Sequence, residues 1–421
     1  MRIRTIGRLL GITVGFGLGA RALAGCGAPA PSDPAEGSIG SAVQDDEIVR
    51  SLPRSVAEAA VRAANEGPVE RTESLDRAPK TGVPIFEPGE DVPSFYEVAL
   101  SPGWAILTTG EQPRAIEMGA EGDGPVTALV RGQPSVRRLY RLDTALYVAA
   151  DAAGHAIAQS SPIFRIDRSG PKATFAAVTA DDALADYAHA KGEFLERFAA
   201  ETGLSFAEAS AEMRASAKDR TCATEGDVPS YRQISPNQAP NDTSCSSGCG
   251  ATAWAVVVGW ASRRASQSPA DAAFSGLFRQ GDDAKGTTVT APLRNDSTVA
   301  EVTWTIREGL GTFCLGDQGA TTPWDMDGIA KYIGSRAPSV NETVKYNSFF
   351  FQRGELRDAA VDAICDGRPA IIGTGSIFAG SAHYPIAKGY KPGWFELEMG
   401  WGGNENGWYE AGTWFMGSLS R

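Results

Sequence analysis

The stretch from Ser246 to Trp260 constrains this chain most. Ser246-Ser247-Gly248, flexible by composition, runs straight into Cys249, and Gly250 to Trp260 continues without a single charge. An apolar, Ala-rich helix is predicted to begin at the cysteine. A helix apolar all round has to be packed inside a core. A thiol at a helix N-terminus meets free backbone N–H groups and the positive end of the macrodipole, which stabilise a thiolate. The bland reading of the same pattern is a small buried Cys in a core helix.

Such a helix needs a chain able to bury it. With 421 residues, 42% of them hydrophobic, the chain is neither disordered nor a small disulfide-stapled scaffold, and two domains plus tails are expected. Lys and Arg total 39 against 51 Asp and Glu, a formal charge of −12, which argues against a nucleic-acid partner. Six cysteines and three histidines are few enough to weigh one by one.

The N-terminus reads as an address. Arg2, Arg4 and Arg8 precede an apolar run from Leu9 to Ala20, too short for a membrane span and closed by small residues. Leu23-Ala24-Gly25-Cys26 resembles the lipobox of bacterial lipoproteins, which implies cleavage after residue 25 and acylation of Cys26. Residues 1–25 are then a signal peptide and 26–44 a Gly/Ala/Pro/Ser-rich tether. The expected location is the bacterial cell envelope, at a membrane through the lipid, or the medium. Export puts Cys222, Cys245, Cys249, Cys314 and Cys365 in an oxidising setting. Five is odd, so two disulfides leave one free thiol, a candidate nucleophile.

Further along, residues 45–66 have helical spacing, with Pro53 marking the start of the main helix, and 67–92 read as loop. Phe95–Leu100, the turn Ser101-Pro102-Gly103 and Trp104–Thr109 form a predicted hairpin. Further strands are expected at 126–130, 146–149 and 156–164. Residues 181–218 read as exposed helices broken near Gly203.

A Cys nucleophile needs a base. His155 and His189 lie in unremarkable settings, a strand-like stretch and a charged helix. His383 lies in Gly380-Ser381-Ala382-His383-Tyr384-Pro385-Ile386, followed by Glu398-Met399-Gly400-Trp401-Gly402-Gly403. This pattern of strand, turn, strand and aromatic-glycine loop brings a base beside an orienting group.

Three separated motifs resemble those of the streptopain family of papain-like cysteine peptidases. They are Gly248-Cys249-Gly250-Ala251-Thr252-Ala253, the His383 segment, and the Trp401-Gly402-Gly403 loop. The resemblance covers about 226–421. It implies an α+β fold in which a helical part carries the Cys and an antiparallel β part carries the His, preceded by an α+β prodomain. It implies Cys249 as nucleophile, His383 as base, Trp401 as a wall of the site, and a Gln as oxyanion-hole donor. Tyr231-Arg232-Gln233-Ile234-Ser235-Pro236 fits the family's aromatic-x-Gln-x-x-Pro, favouring Gln233 over Gln238. The strands around 95–118 resemble the family's propeptide, so 45–225 is expected to be an inhibitory prodomain, cut near 214–225, and 226–421 the catalytic domain.

Two departures stand out: the family's Asn is Glu398 here, and its neighbouring Trp is Met399. A carboxylate holding the His ring raises the imidazole pKa and favours a thiolate–imidazolium pair. Cys245 lacks the immediate helix start and reads as a disulfide partner. Pairing Cys222 with Cys245 and Cys314 with Cys365 is one of three arrangements the sequence leaves open. No Cys/His spacing suggests zinc, so neither metal nor cofactor is expected. The expected function is a secreted or lipid-anchored cysteine endopeptidase made as a zymogen, its partners being a protein substrate and its own propeptide. The alternatives are a degraded, peptidase-like binding protein and another thiol acyl-transfer enzyme such as a cell-wall amidase.

Overall fold

A computed structural model describes residues 48–70, 75, 77–131, 133–160, 163–167, 174–238, 244–280, 286–347, 352–375, 382–403 and 405–421. The expected signal peptide, Cys26 and the tether lie outside the described residues. Gln44–Arg421 clusters as one compact unit.

Pro53 stands just before the first helix, Arg54–Glu66, whose Val56, Ala59, Ala60 and Ala63 are buried. That small-residue face lies in one core with Tyr96, Val98, Leu107 and Met118. Below it run Phe95–Ala99 and Trp104–Thr108, the hairpin the alternation predicts, and Ala115–Gly119 beside them. Gly103 turns the hairpin at φ 82°, where a Cβ would meet the Gly119 carbonyl at 2.1 Å.

Two elements differ from the sequence reading. Thr81–Ile85, within the expected loop, is a strand, because Val83, Pro84 and Ile85 pair with Glu97, Tyr96 and Phe95. Its order comes from a partner rather than from local propensity. Pro125–Val130, expected as strand, is a helix. The Glu97 carboxylate, buried in the sheet beneath, accepts the Val126 and Thr127 N–H groups at 2.8 and 3.0 Å. A cap supplied from another element overrides the β-branched texture.

The expected boundary at 225 is crossed by one antiparallel sheet. From its outer edge the order is Arg50–Ser51, Thr81–Ile85, Phe95–Ala99, Trp104–Thr108 and Ala115–Gly119. It continues through Gly407–Glu410, Trp394–Glu398, Ile386–Lys391, Ala370–Ile372, Phe415–Ser420 and Asn341–Tyr346. The seam between the N-terminal strands and the rest pairs Met118 with Trp408 and Glu117 with Tyr409. The helices Ala180–Thr202 and Phe206–Ala215 are broken at Gly203, φ 72°, near the predicted position.

On the other side stands the helix Cys249–Gln267, buried continuously from Gly250 to Ser262. Trp254, Val257, Val258 and Ala261 are fully enclosed in a core shared with Ile371, Ile386 and Phe415 of the sheet. The architecture is therefore α+β, with a buried helix against an antiparallel sheet.

The disulfides are Cys222–Cys365 and Cys245–Cys314, not the Cys222–Cys245 arrangement. Cys222 lies in a short strand paired with Tyr390, beside the helix Gly354–Cys365 that ends in its partner. Cys245 is held at the hairpin Phe313–Leu315/Gln318–Ala320, where the Ser246 N–H donates to the Asp317 carbonyl at 2.8 Å. Neighbours in space, set by these ladders, decided the pairing.

Candidate active site

Cys249 is the first residue of its helix and the free cysteine of the described chain. Gly248 before it has φ 81°, and a Cβ there would meet the Gly319 carbonyl at 2.4 Å. Only glycine allows both that conformation and that approach. The Cys245–Cys314 bridge thus pins a hairpin against the turn that aims the thiol. Cys249 packs against the same core that encloses Tyr384, the residue after His383.

His383 enters the site from a two-residue bridge with Thr374, closed by N–H···O bonds of 3.0 and 3.1 Å. Its ring stacks on Trp401, centroids 4.8 Å apart and planes 24° apart. Its Nε2 lies 2.7 Å from the Met399 carbonyl oxygen. A carbonyl only accepts, so this contact assigns the proton to Nε2 and leaves Nδ1 as the basic nitrogen.

Glu398 does not hold the ring in this arrangement. Its carboxylate accepts the Ser230 hydroxyl at 3.0 Å and the Asn406 side-chain amide. Glu398 closes the strand opposite Ile386, and two residues further on the chain turns away at Gly400, φ 74°. The backbone oxygen of Met399 therefore reaches the ring where a side chain was expected. Burial pushes the Glu398 carboxyl above its ordinary range, opposed by the bonds from Asn406 and Ser230.

The thiol and imidazole are half-buried, yet enclosed enough that both charged forms are disfavoured. Burial pushes the Cys249 thiol up to about 11, against the pull of the Tyr384 N–H. Burial likewise lowers His383 to about 4, while the Met399 carbonyl opposes the change. The pair is thus neutral near pH 7, not the ion pair the charge of Glu398 suggested.

Gln233 lies on a segment threaded between the two halves of the site. Arg232 bridges to Trp401, and the Ile234 carbonyl accepts the Ser247 N–H at 2.9 Å. The Gln233 side-chain oxygen accepts the Ser246 hydroxyl at 3.1 Å. Its side-chain NH2 has no acceptor among the described residues. Gln238 is exposed, in a short turn, bonded to Ser235. Among the described residues no cluster of three or more His, Cys, Asp or Glu is set to hold a metal ion.

Sequence reasoning missed Asn406, Ser230 and the Met399 carbonyl. Asn406 carried one signal, its place just beyond the Trp401-Gly402-Gly403 loop. The Met399 carbonyl carried none, since every residue has one.

No protein-family model matches the chain, and no curated protein matches it significantly. Among solved structures, a prointerpain A fragment from Prevotella intermedia is similar at a TM-score of 0.40 and 11% identity, over 79% of this chain and 97% of that one. The active wild-type interpain A cysteine protease of the same organism is similar at 0.28 and 16%, over 47% of this chain and 92% of that one. Likeness this distant assigns no chemistry to the chain.

Proposed function

We propose that this chain is a cysteine peptidase made as a zymogen, with Cys249 as nucleophile and His383 as base. The observation that carries the reading is the free thiol at the N-terminus of a buried helix, together with a histidine whose ring is fixed by Trp401 and the Met399 carbonyl. In the reaction the thiol proton passes to the basic nitrogen of His383 and the sulfur attacks the peptide carbonyl carbon. The oxyanion meets the Cys249 N–H and the side-chain NH2 of Gln233. His383 then protonates the leaving amine, and water, deprotonated by His383, hydrolyses the thioester and restores the thiol.

The N-terminal part, about 45–225, acts as the propeptide. Its sheet continues into the strands behind the site, and the neutral thiol and imidazole of the intact chain fit a silent precursor. Residues 214–216 and 219–221 are exposed and lie ahead of Cys222, so cleavage there frees the N-terminal part while the Cys222–Cys365 bridge keeps the new terminus attached. Export through the N-terminal signal and lipidation at Cys26 complete the proposal.

The test is incubation with an epoxide thiol-peptidase inhibitor, mapping of the adduct, and a casein assay under mild reduction. An adduct at Cys249, lost in Cys249→Ala, is expected, together with cleavage of casein after processing. No adduct and no cleavage would leave a non-catalytic binding protein. In the intact chain, alkylation of Cys249 is expected to keep accelerating as pH rises toward about 11. A plateau below pH 7 would show an ion pair instead.

A further inference from the structure

Three hydrogen bonds converge on the backbone around Met399. The Asn406 side-chain oxygen accepts the Met399 N–H at 2.9 Å. The nitrogen of the same amide donates to the Glu398 carboxylate. The Met399 carbonyl oxygen lies 2.7 Å from His383 Nε2. The peptide entering Met399 is thus gripped by the amide, and the amide in turn by the carboxylate. Ser230 fixes the carboxylate from the opposite strand segment at 3.0 Å. Glu398 and the Met399 side chain are almost wholly buried, so water cannot replace these partners cheaply.

We propose that Glu398 and Asn406 form a positioning pair that holds the backbone of Met399, whose carbonyl oxygen is the acceptor that orients the imidazole of His383. The Asn406 amide spans the Glu398 carboxylate and the Met399 N–H, so the carboxylate fixes the backbone that presents this oxygen, with no bond from the carboxylate to the ring. Asn406 has only one orientation that serves: its oxygen must face an N–H and its NH2 a carboxylate. The inference rests on Cys249 and His383 as the reacting pair, and it has a readout that needs no turnover.

That readout is a charge-pattern swap in the full-length chain. Asn406→Asp sets two carboxylates against each other and should loosen the grip. Glu398→Gln keeps the shape and offers an NH2 in place of an acceptor. The double variant Glu398→Gln/Asn406→Asp restores one donor facing one acceptor and leaves the Met399 N–H satisfied. Alkylation of Cys249 by iodoacetamide should slow about tenfold in Asn406→Asp, the rate equivalent of one lost buried hydrogen bond, and recover in the double variant. In parallel, the 15N resonances of the His383 ring report the Nε2-protonated tautomer. They should shift toward mixed tautomers in Asn406→Asp and return in the swap.

Unchanged alkylation and unchanged ring resonances in a folded Asn406→Asp overturn the proposal. So does a double variant as impaired as the single one. If Asn406→Asp fails to fold, Ser230→Ala, which removes one bond to the same carboxylate, should show a smaller shift of the ring signals, and no shift there overturns it too. If the parent chain is never alkylated at Cys249, the peptidase reading fails, while the ring resonances still decide the hydrogen-bond relay.

Discussion

Two buried carboxylates, Glu117 and Glu398, lie in different regions of the molecule and are held differently. At the seam between the N-terminal strands and the rest, Glu117 is fully buried and meets a charge: Arg141 at 2.8 Å, with the Tyr147 hydroxyl at 2.7 Å. Behind the candidate site, Glu398 takes its hydrogen bonds from the neutral groups of Ser230 and Asn406, while the Lys388 charge acts on it without an ion pair among the described residues. Between the two lies Glu405, on the loop that follows Trp401. One of its oxygens is buried with no hydrogen-bond partner among the described residues, and burial together with Glu117 and Glu97 holds its carboxyl at about 8. Cation pairing suits a fixed joint, and neutral donors suit a group that must orient a neighbour without quenching it. An unpaired carboxyl persists by staying protonated.

That contrast breaks first at the seam. Arg141→Met leaves the Glu117 charge buried with Tyr147 and the Ala145 N–H as its remaining partners, which should cost about 3–5 kcal/mol. Thermal melting should show the loss, and a double variant with Glu117→Gln should regain much of it. An unchanged melting temperature in Arg141→Met would mean that the seam charge is solvated.

Next comes the hairpin side of the site. Gly248→Ala forces a Cβ onto the Gly319 carbonyl at a positive φ, and about 1–3 kcal/mol of strain is expected. Alkylation of Cys249 should fall with it. Equal melting and equal alkylation would mean that the hairpin moves aside freely.

A third effect is set by pH at Glu405. Its folded pKa is raised above the unfolded value of 4.5. The protonated form therefore stabilises the folded chain fully below pH 4.5, and this contribution is lost as pH rises through about 8. Glu405→Gln stays neutral, so its melting temperature should pull ahead of the parent between those values and hold its lead above them. A gap that is the same at pH 5 and pH 9 would sink the idea.

Much of the architecture was legible locally. The charge-free run after Cys249 could be nothing but an interior helix, and the alternation across Ser101-Pro102-Gly103 marked a hairpin. Gly203 broke the helices where expected. Thr81–Ile85 and Pro125–Val130 were not legible, because an outside ladder and the Glu97 cap made them. Within the site, motif spacing singled out Cys249, His383 and Trp401. The partners of Glu398 escaped it because Ser230 and Asn406 come from separate segments.

The sequence by itself determined where charge and apolar surface can go, and therefore which helix is interior, which strands alternate and that five cysteines beyond Cys26 leave an odd one out. Only the tertiary structure decided which cysteines meet, which oxygen reaches His383 and which carboxylates find a cation. Periodicity is a property of neighbours along the chain. A hydrogen-bond partner is a matter of a few tenths of an ångström between segments that the chain order leaves far apart.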